Sequence, residues 1–229
     1  MSLTQSDGRL DWTSVRAVVL DVDGTLYDQR RLRLRMLARI LAHLAAHPSS
    51  FREMRVLRCF RAMREGLADI PHHDVENLQY RVVADALGVD ATLVRSVVAR
   101  WIHQEPLPYL QGCMYPGVNA FLEGLAQRGI QVAFFSDYPV TEKLAAMGIR
   151  CGRGYCATDP PIDRLKPSPR GLEVILEALG MPAADCLMIG DREERDGRCA
   201  AAAGMPYRII ARGDATFYGR LLAECQAAS

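Results

Sequence analysis

Residues 15–27 read VRAVVLDVDGTLY. The run from Val15 to Leu20 is apolar on both faces apart from Arg16, which suits a buried strand of a parallel sheet. It stops on Asp21, and a second carboxylate, Asp23, follows two residues later. In an open α/β sheet, ligands bind beyond the carboxyl ends of the strands, so two acids at such an end can serve one site. Gly24 permits a sharp turn there. Two later stretches repeat the pattern of an apolar run ending on polar residues: QVAFFSD at 131–137 and CLMIGD at 186–191. A fourth run, PYRIIA, lies at 206–211.

Segments of helical period separate these runs. GVNAFLEGLAQR at 117–128 stops at Gly129, 141–147 stops at Gly148, and PRGLEVILEAL at 169–179 stops at Gly180. Proline near a helix start and glycine just past its end are the expected punctuation. Alternating strands and helices predict a doubly wound α/β sheet. Residues 29–112 carry no strand-like run. Their periodicity predicts helices at 30–47, 51–68, 74–87 and 91–103, with Leu34, Leu37, Ile40, Leu41 and Leu44 recurring at helical spacing in the first. The stretch 105–116, with three prolines, reads as the return crossing. The expected division is a core of 1–28 and 113–229 with a helical insert at 29–112.

Taken singly, the polar residues at the strand ends have plain structural readings. An aspartate there caps a helix or shapes a turn, a serine turns the chain, and a lysine is a solvated charge. Together they differ. Asp21, Asp23, Ser136 and Asp191 end three apolar strands, Lys166 lies in RLKPSPRGL, and Asp196 follows Asp191 in GDREERD. These are the groups that hold a phosphoryl group and a divalent ion. In this order the four stretches, DVDGT, Ser136 after VAFF, Lys166 and GDREERD, resemble the haloacid dehalogenase-like hydrolase superfamily. The position of the insert resembles its C1-type helical cap, and the likeness covers well over half of the chain.

The resemblance implies a Rossmann-like core, a cap at 29–112 and a Mg²⁺-dependent phosphohydrolase. Asp21 would attack phosphorus, and Asp23 would protonate the leaving oxygen and then activate water. Mg²⁺ would take the Asp21 and Asp191 carboxylates and the Asp23 carbonyl, a hard-oxygen set. Ser136 and Lys166 would hold the phosphoryl oxygens, with backbone N–H groups near Asp23, Gly24 and Asp137 adding to the cradle. Thr25 would steady the loop after Asp21, and Asp196 would orient Lys166 or a metal-bound water. Dehalogenases resemble this superfamily but lack the second aspartate of DxD, and phosphonatases use a cap lysine. This chain has Asp23 and no lysine between 29 and 112. A phosphomutase, or a weak member that binds a phosphorylated ligand, remains the alternative. In C1-capped relatives the turn between the second and third cap helices reaches toward the pocket. Here that is 67–74, LADIPHHD, which nominates His72, His73 and the nearby Arg64 for reading the substrate.

The bulk numbers agree with such an enzyme. Apolar residues at 49%, charged residues at 24% and a net charge of +1 give ordinary globular composition, with no call for a nucleic-acid partner. The expected partner is a small phosphorylated metabolite, and the expected place is the cytoplasm. The start, MSLTQSDGRLDW, has no apolar segment of a signal peptide, and no run reaches membrane-spanning length. Seven cysteines with no CxxC pair argue for reduced thiols. Lys143 and Lys166 are the only lysines in an arginine-rich chain. His43 and His47, at i and i+4, lack a third metal ligand and read as structural. The insert holds thirteen arginines against eight acidic residues, a balance that suits anionic substrates as well as a solvated helix face. The sequence does not indicate an oligomeric state.

Overall fold

The computed structural model describes residues 11–47, 50–68 and 73–228. Its centre is a five-stranded, wholly parallel sheet in the order β3-β2-β1-β4-β5. The strands are β1 (Ala17–Leu20), β2 (Gln131–Ser136), β3 (Arg153–Cys156), β4 (Cys186–Gly190) and β5 (Tyr207–Ile209). β1 is fully buried between β2 and β4, as its double-sided apolar sequence requires. Alternation along the strands splits the core in two. Val18, Leu20, Phe134, Leu187 and Ile189 face one layer. Ala17, Val19, Ala133, Phe135, Cys186 and Met188 face the other.

The first layer is closed by α6 (Val118–Gln127) and α10 (Phe217–Ala227), through Phe121, Leu125, Tyr218 and Leu221. The second is closed by α8 (Arg170–Leu179) and α9 (Arg198–Ala202), through Leu172, Ile175, Cys199 and Ala200. The register decides where the chemistry goes. Leu20 pairs with both Phe134 and Ile189, so Asp21, Ser136 and Asp191 emerge along one carboxyl edge.

Between β1 and β2 the chain is helical: α1 (Gln29–Ala46), α2 (Phe51–Leu67), α3 (Val75–Leu87), α4 (Ala91–Val98) and the short α5 (Leu107–Leu110). The Asp28 and Asp90 side chains accept from the N–H of Arg30 and Thr92 and cap α1 and α4. Three details depart from the sequence reading. The helix expected over 91–103 changes at Ala99 into a wide π turn, Ala99–Gln104. And α1 buries Leu32, Met36 and His43, while Leu34, Leu37 and Leu41 are exposed. Both sets fit helical spacing, and only packing distinguishes them. β3 was not anticipated, because RGYC is short, lies at the sheet edge and exposes Arg153 and Gly154.

The inserted helices are tied to the sheet by polar contacts. The Asp163 carboxylate accepts from the N–H groups of Asp74 and Val75, both at 2.7 Å, at the exposed N-terminal end of α3. Glu65 of α2 pairs with Arg192 at 3.0 Å and Arg195 at 2.7 Å. No described helix is long and apolar enough to cross a membrane.

Candidate active site

Asp21 leaves the end of β1 almost fully buried. Its Oδ1 accepts from Lys166 Nζ at 2.6 Å, and its Oδ2 accepts from Thr25 Oγ1 at 2.9 Å. The same Lys166 ammonium donates to Asp196 Oδ1 at 2.6 Å. Asp196 sits in a second π turn, Glu193–Gly197, and its Oδ2 accepts from the N–H of Asp191 and of Arg192. Asp196 folds back so tightly that a Cβ on Gly190 would lie 2.3 Å from it. π turns are rare and gather at functional sites, since one extra residue per turn re-aims the side chains. Asp137 Oδ1 accepts from the Lys166 N–H at 3.0 Å and so fixes the loop that delivers the lysine.

Asp21, Asp191 and Asp196 offer carboxylate oxygens within 4.8 Å of one another. Gly24, at φ 103°, brings the loop so close that a Cβ there would lie 2.2 Å from Asp191 Oδ2. Burial pushes the Asp191 carboxyl up to about 6, and the Asp196 charge adds to that. Burial also raises Asp21, which Lys166 opposes and the neighbouring carboxylates reinforce. The cluster is therefore short of positive charge. Asp196 is already committed to Lys166 and two backbone donors, so a cation would fall to Asp191 and to Asp21, whose carboxylate also accepts from Lys166 and Thr25. The Asp23 carbonyl accepts from Gln29 Nε2 at 2.7 Å. The donors are all oxygen, which fits a hard divalent ion.

Asp23 faces the other way. Its carboxylate accepts from Ser136 Oγ at 2.9 Å, from Lys143 Nζ at 2.5 and 2.6 Å, and from the Tyr27 hydroxyl. Burial alone would raise this carboxyl. The Lys143 charge and the hydrogen bonds from Lys143, Tyr27 and Ser136 overcome that and hold it below the usual range. Lys143 and Tyr27 were not among the residues nominated from the sequence. Lys143 sits on α7 (Thr141–Ala146), and its signal was its rarity, as one of two lysines. Tyr27 follows Asp23 by four residues, at the end of the turn, where it bridges to Met114. Ser136, expected to bind phosphoryl oxygens, here bonds to Asp23, and its Oγ accepts from the Tyr138 N–H at 3.1 Å.

Of the residues nominated for substrate reading, Arg64 is buried and donates to the Asp137 carbonyl. His73 is exposed. His72 lies outside the described residues. His43 and His47 stack on each other with centroids 4.8 Å apart, and among the described residues the acidic trio is the only cluster able to hold a metal.

The profile of the haloacid dehalogenase-like hydrolase family matches residues 15–204. The chain belongs to that family. As a member it is a hydrolytic enzyme, and the curated relatives it matches are phosphatases. It is 32% identical over 133 residues to a phosphoglycolate phosphatase of Rhodospirillum rubrum, a stretch that spans 54% of this chain and about half, 53%, of that protein. It is 30% identical to a glyceraldehyde 3-phosphate phosphatase of Methanopyrus kandleri, over 87% of this chain and 85% of the other. Among solved structures, a phosphatase of the family from Thermococcus onnurineus superposes with a TM-score of 0.59 at 20% identity, over 87% of this chain and 88% of that one, a likeness of fold.

Proposed function

We propose that this chain hydrolyses a small phosphate monoester through a phosphoryl group carried on Asp21, with Mg²⁺ at the acidic cluster. The observation that carries the reading is the arrangement around Asp21. One buried carboxylate is held by Lys166 and Thr25 at the carboxyl edge of the sheet, with a second carboxylate, Asp191, beside it and uncommitted. Asp21 Oδ1 or Oδ2 attacks phosphorus, and the P–O bond to the leaving alcohol breaks. Lys166 neutralises charge growing on the phosphoryl oxygens. Asp23, gripped by Lys143 and Tyr27, is placed to exchange a proton with the leaving oxygen and then with the attacking water. Ser136 and the N–H groups of Gly24 and Asp137 complete the phosphoryl cradle, Thr25 steadies Asp21, and Asp196 positions Lys166. Mg²⁺, held by Asp21, Asp191 and the Asp23 carbonyl, would screen the charge between nucleophile and phosphoryl group.

Residues 29–112 act in this reading as a cap over a core of 1–28 and 113–229. Opening it breaks the contacts of Glu65 with Arg192 and Arg195, and of Asp163 with the start of α3. These are ion pairs and hydrogen bonds at partly exposed positions, weak enough to part and re-form during turnover.

The test is Asp21→Asn assayed on p-nitrophenyl phosphate with Mg²⁺. An amide cannot attack phosphorus, so kcat should fall on the order of 10⁴-fold or more while circular dichroism stays unchanged. A variant with near-parental activity removes the covalent step. A chain that transfers the phosphoryl group to a second hydroxyl of its substrate instead of to water is a phosphomutase. Inorganic phosphate release separates the two.

A further inference from the structure

The turn between Asp191 and Asp196 carries two arginines that the chemistry above leaves unused. Arg195 is only 8% exposed and stands next to Asp196 in the π turn Glu193–Gly197. The two neighbours take hold of one residue. Asp196 Oδ1 accepts from Lys166 Nζ at 2.6 Å, while Arg195 Nη1 donates to the Lys166 main-chain carbonyl at 2.9 Å. The Asp137 carboxylate accepts from the Lys166 N–H at 3.0 Å. The lysine is thus held at its ammonium and on both sides of its Cα.

The other half of the same guanidinium reaches the inserted helices. Arg195 Nη2 donates to the Glu65 main-chain carbonyl at 3.1 Å and to Glu65 Oε2 at 2.7 Å. Arg192, at the start of the turn, donates to both oxygens of the Glu65 carboxylate, at 3.0 and 3.3 Å. The Glu65 side chain is 57% exposed and that of Arg192 40%, so solvent screens their pair and it contributes little. The contact with Arg195 is of another kind. One planar fork joins the main chain at the end of α2 to the main chain of the Lys166 loop, and a lysine in its place has a single nitrogen that cannot span both. When the inserted helices lift, Arg195 loses two of these three acceptors at once.

We propose that Arg195 is a positioning residue for Lys166, and that Glu65 makes this positioning depend on the seating of the inserted helices. The inference rests on the phosphatase reading above and adds how closure is felt at the phosphoryl site. Seated helices fix Arg195 through Glu65, and Arg195 fixes the Lys166 carbonyl. Asp137 and Asp196 hold the rest of the lysine, so its ammonium is aimed only when all three grips are made. A misplacement of about 1 Å at such a group can cost on the order of 10²-fold in rate. A slightly loosened lysine loop therefore holds transfer back until the site is covered and water is restricted. The route acts on the phosphoryl group through Lys166 and does not involve the leaving group, so an aryl phosphate feels it as any other ester does.

The experiment is a double-mutant cycle on the full-length chain, assayed on p-nitrophenyl phosphate with Mg²⁺ and with inorganic phosphate as competing probe. Arg195→Lys should lower kcat about tenfold and raise the Ki of inorganic phosphate by a similar factor. The Mg²⁺ concentration for half-maximal rate should stay within about twofold, because the Asp191 carboxylate is untouched. Glu65→Gln keeps an acceptor but loses the charge. It should cost about fivefold in kcat in the parent and less than about twofold in Arg195→Lys, since its path runs through the fork. Glu65→Gln changes an exposed side chain, so its effect on the phosphate Ki decides the matter even where Arg195→Lys folds poorly. Equal losses from Glu65→Gln in both backgrounds, or a phosphate Ki that neither variant changes, overturns the inference alone, and the contacts then only hold the helices to the sheet. A changed Mg²⁺ requirement with an unchanged phosphate Ki overturns it as well, by placing the effect on Asp191. A parent that releases no phosphate from p-nitrophenyl phosphate overturns the phosphatase reading and this one with it.

Discussion

Lys166 at the strand ends and Arg64 in the inserted helices are both buried cations, and they are buried on opposite terms. Lys166 has two carboxylates at 2.6 Å, Asp21 and Asp196, and donates to the Phe135 carbonyl as well. Arg64 has one main-chain carbonyl and two aromatic faces. The first region pairs its one cation with its own acids and still has an excess of negative charge at Asp191. The second holds its guanidinium with no carboxylate in ion-pairing distance among the described residues, although Glu76 and Asp137 line the same pocket. A phosphoryl group is common to every substrate of such an enzyme, so its receptor can be pre-built and mutually braced.

The largest effect should come from breaking the satisfied side. Lys166→Met strands Asp21 and Asp196 beside Asp191 with no cation among them. Removing one partner of a buried ion pair costs about 3–5 kcal/mol. Urea denaturation of the chain without added metal should show a loss of that order, and phosphatase activity should disappear with it. A variant as stable as the parent would mean that the carboxylates simply take up protons, and that the pairing contributes little to the fold.

The same change of charge on the other side should act in the opposite direction. Arg64→Met removes a buried cation that no acid compensates and leaves an apolar side chain between Phe60 and Tyr138. Stability, read by urea denaturation, should stay level or rise by about 1 kcal/mol. A loss beyond about 2 kcal/mol would show that the Asp137 carbonyl and the Tyr138 ring already satisfy the guanidinium, and the contrast with Lys166 would vanish.

This contrast also explains what could be read from the sequence. β1, β2 and β4 were legible because a strand covered on both faces must be apolar throughout. Asp21, Asp23, Ser136, Lys166, Asp191 and Asp196 were legible because they stand at fixed offsets from those strands. β3 is an edge strand of four residues and leaves no such pattern. Lys143 reaches Asp23 from a helix with a long flexible stem, and only tertiary packing sets that distance. His103 depends on one extra residue in the π turn, which helical periodicity does not register. Leu34, Leu37 and Leu41 formed a helical stripe as regular as the one actually buried, so spacing pointed to the wrong face of α1.

A pH-dependent effect tests whether the pocket is as cationic as Arg64 and Lys143 make it. Burial, with Lys143 and Arg64 adding their repulsion and Asp23 opposing, lowers the His103 imidazole to about 4 from an ordinary value near 6.5. The unfolded chain thus takes up a proton below about pH 6.5 that the folded chain refuses until about pH 4. Stability is present in full above that window and is lost as pH falls through it, at no more than about 1.4 kcal/mol per pH unit. Tyr138, which packs against the ring, stays neutral throughout, since burial raises its hydroxyl further. Carboxylates titrate in the lower part of the same range, so the comparison is between the parent and His103→Gln. The parent should lose stability more steeply from pH 6.5 to 4, and the two curves should run parallel above pH 7. Adding Arg64→Met to the parent should shrink the steepness, because one of the two repelling cations is gone. Parallel curves for parent and His103→Gln across the whole range would show that the imidazole titrates normally, and that the pocket is open enough to water to screen both cations.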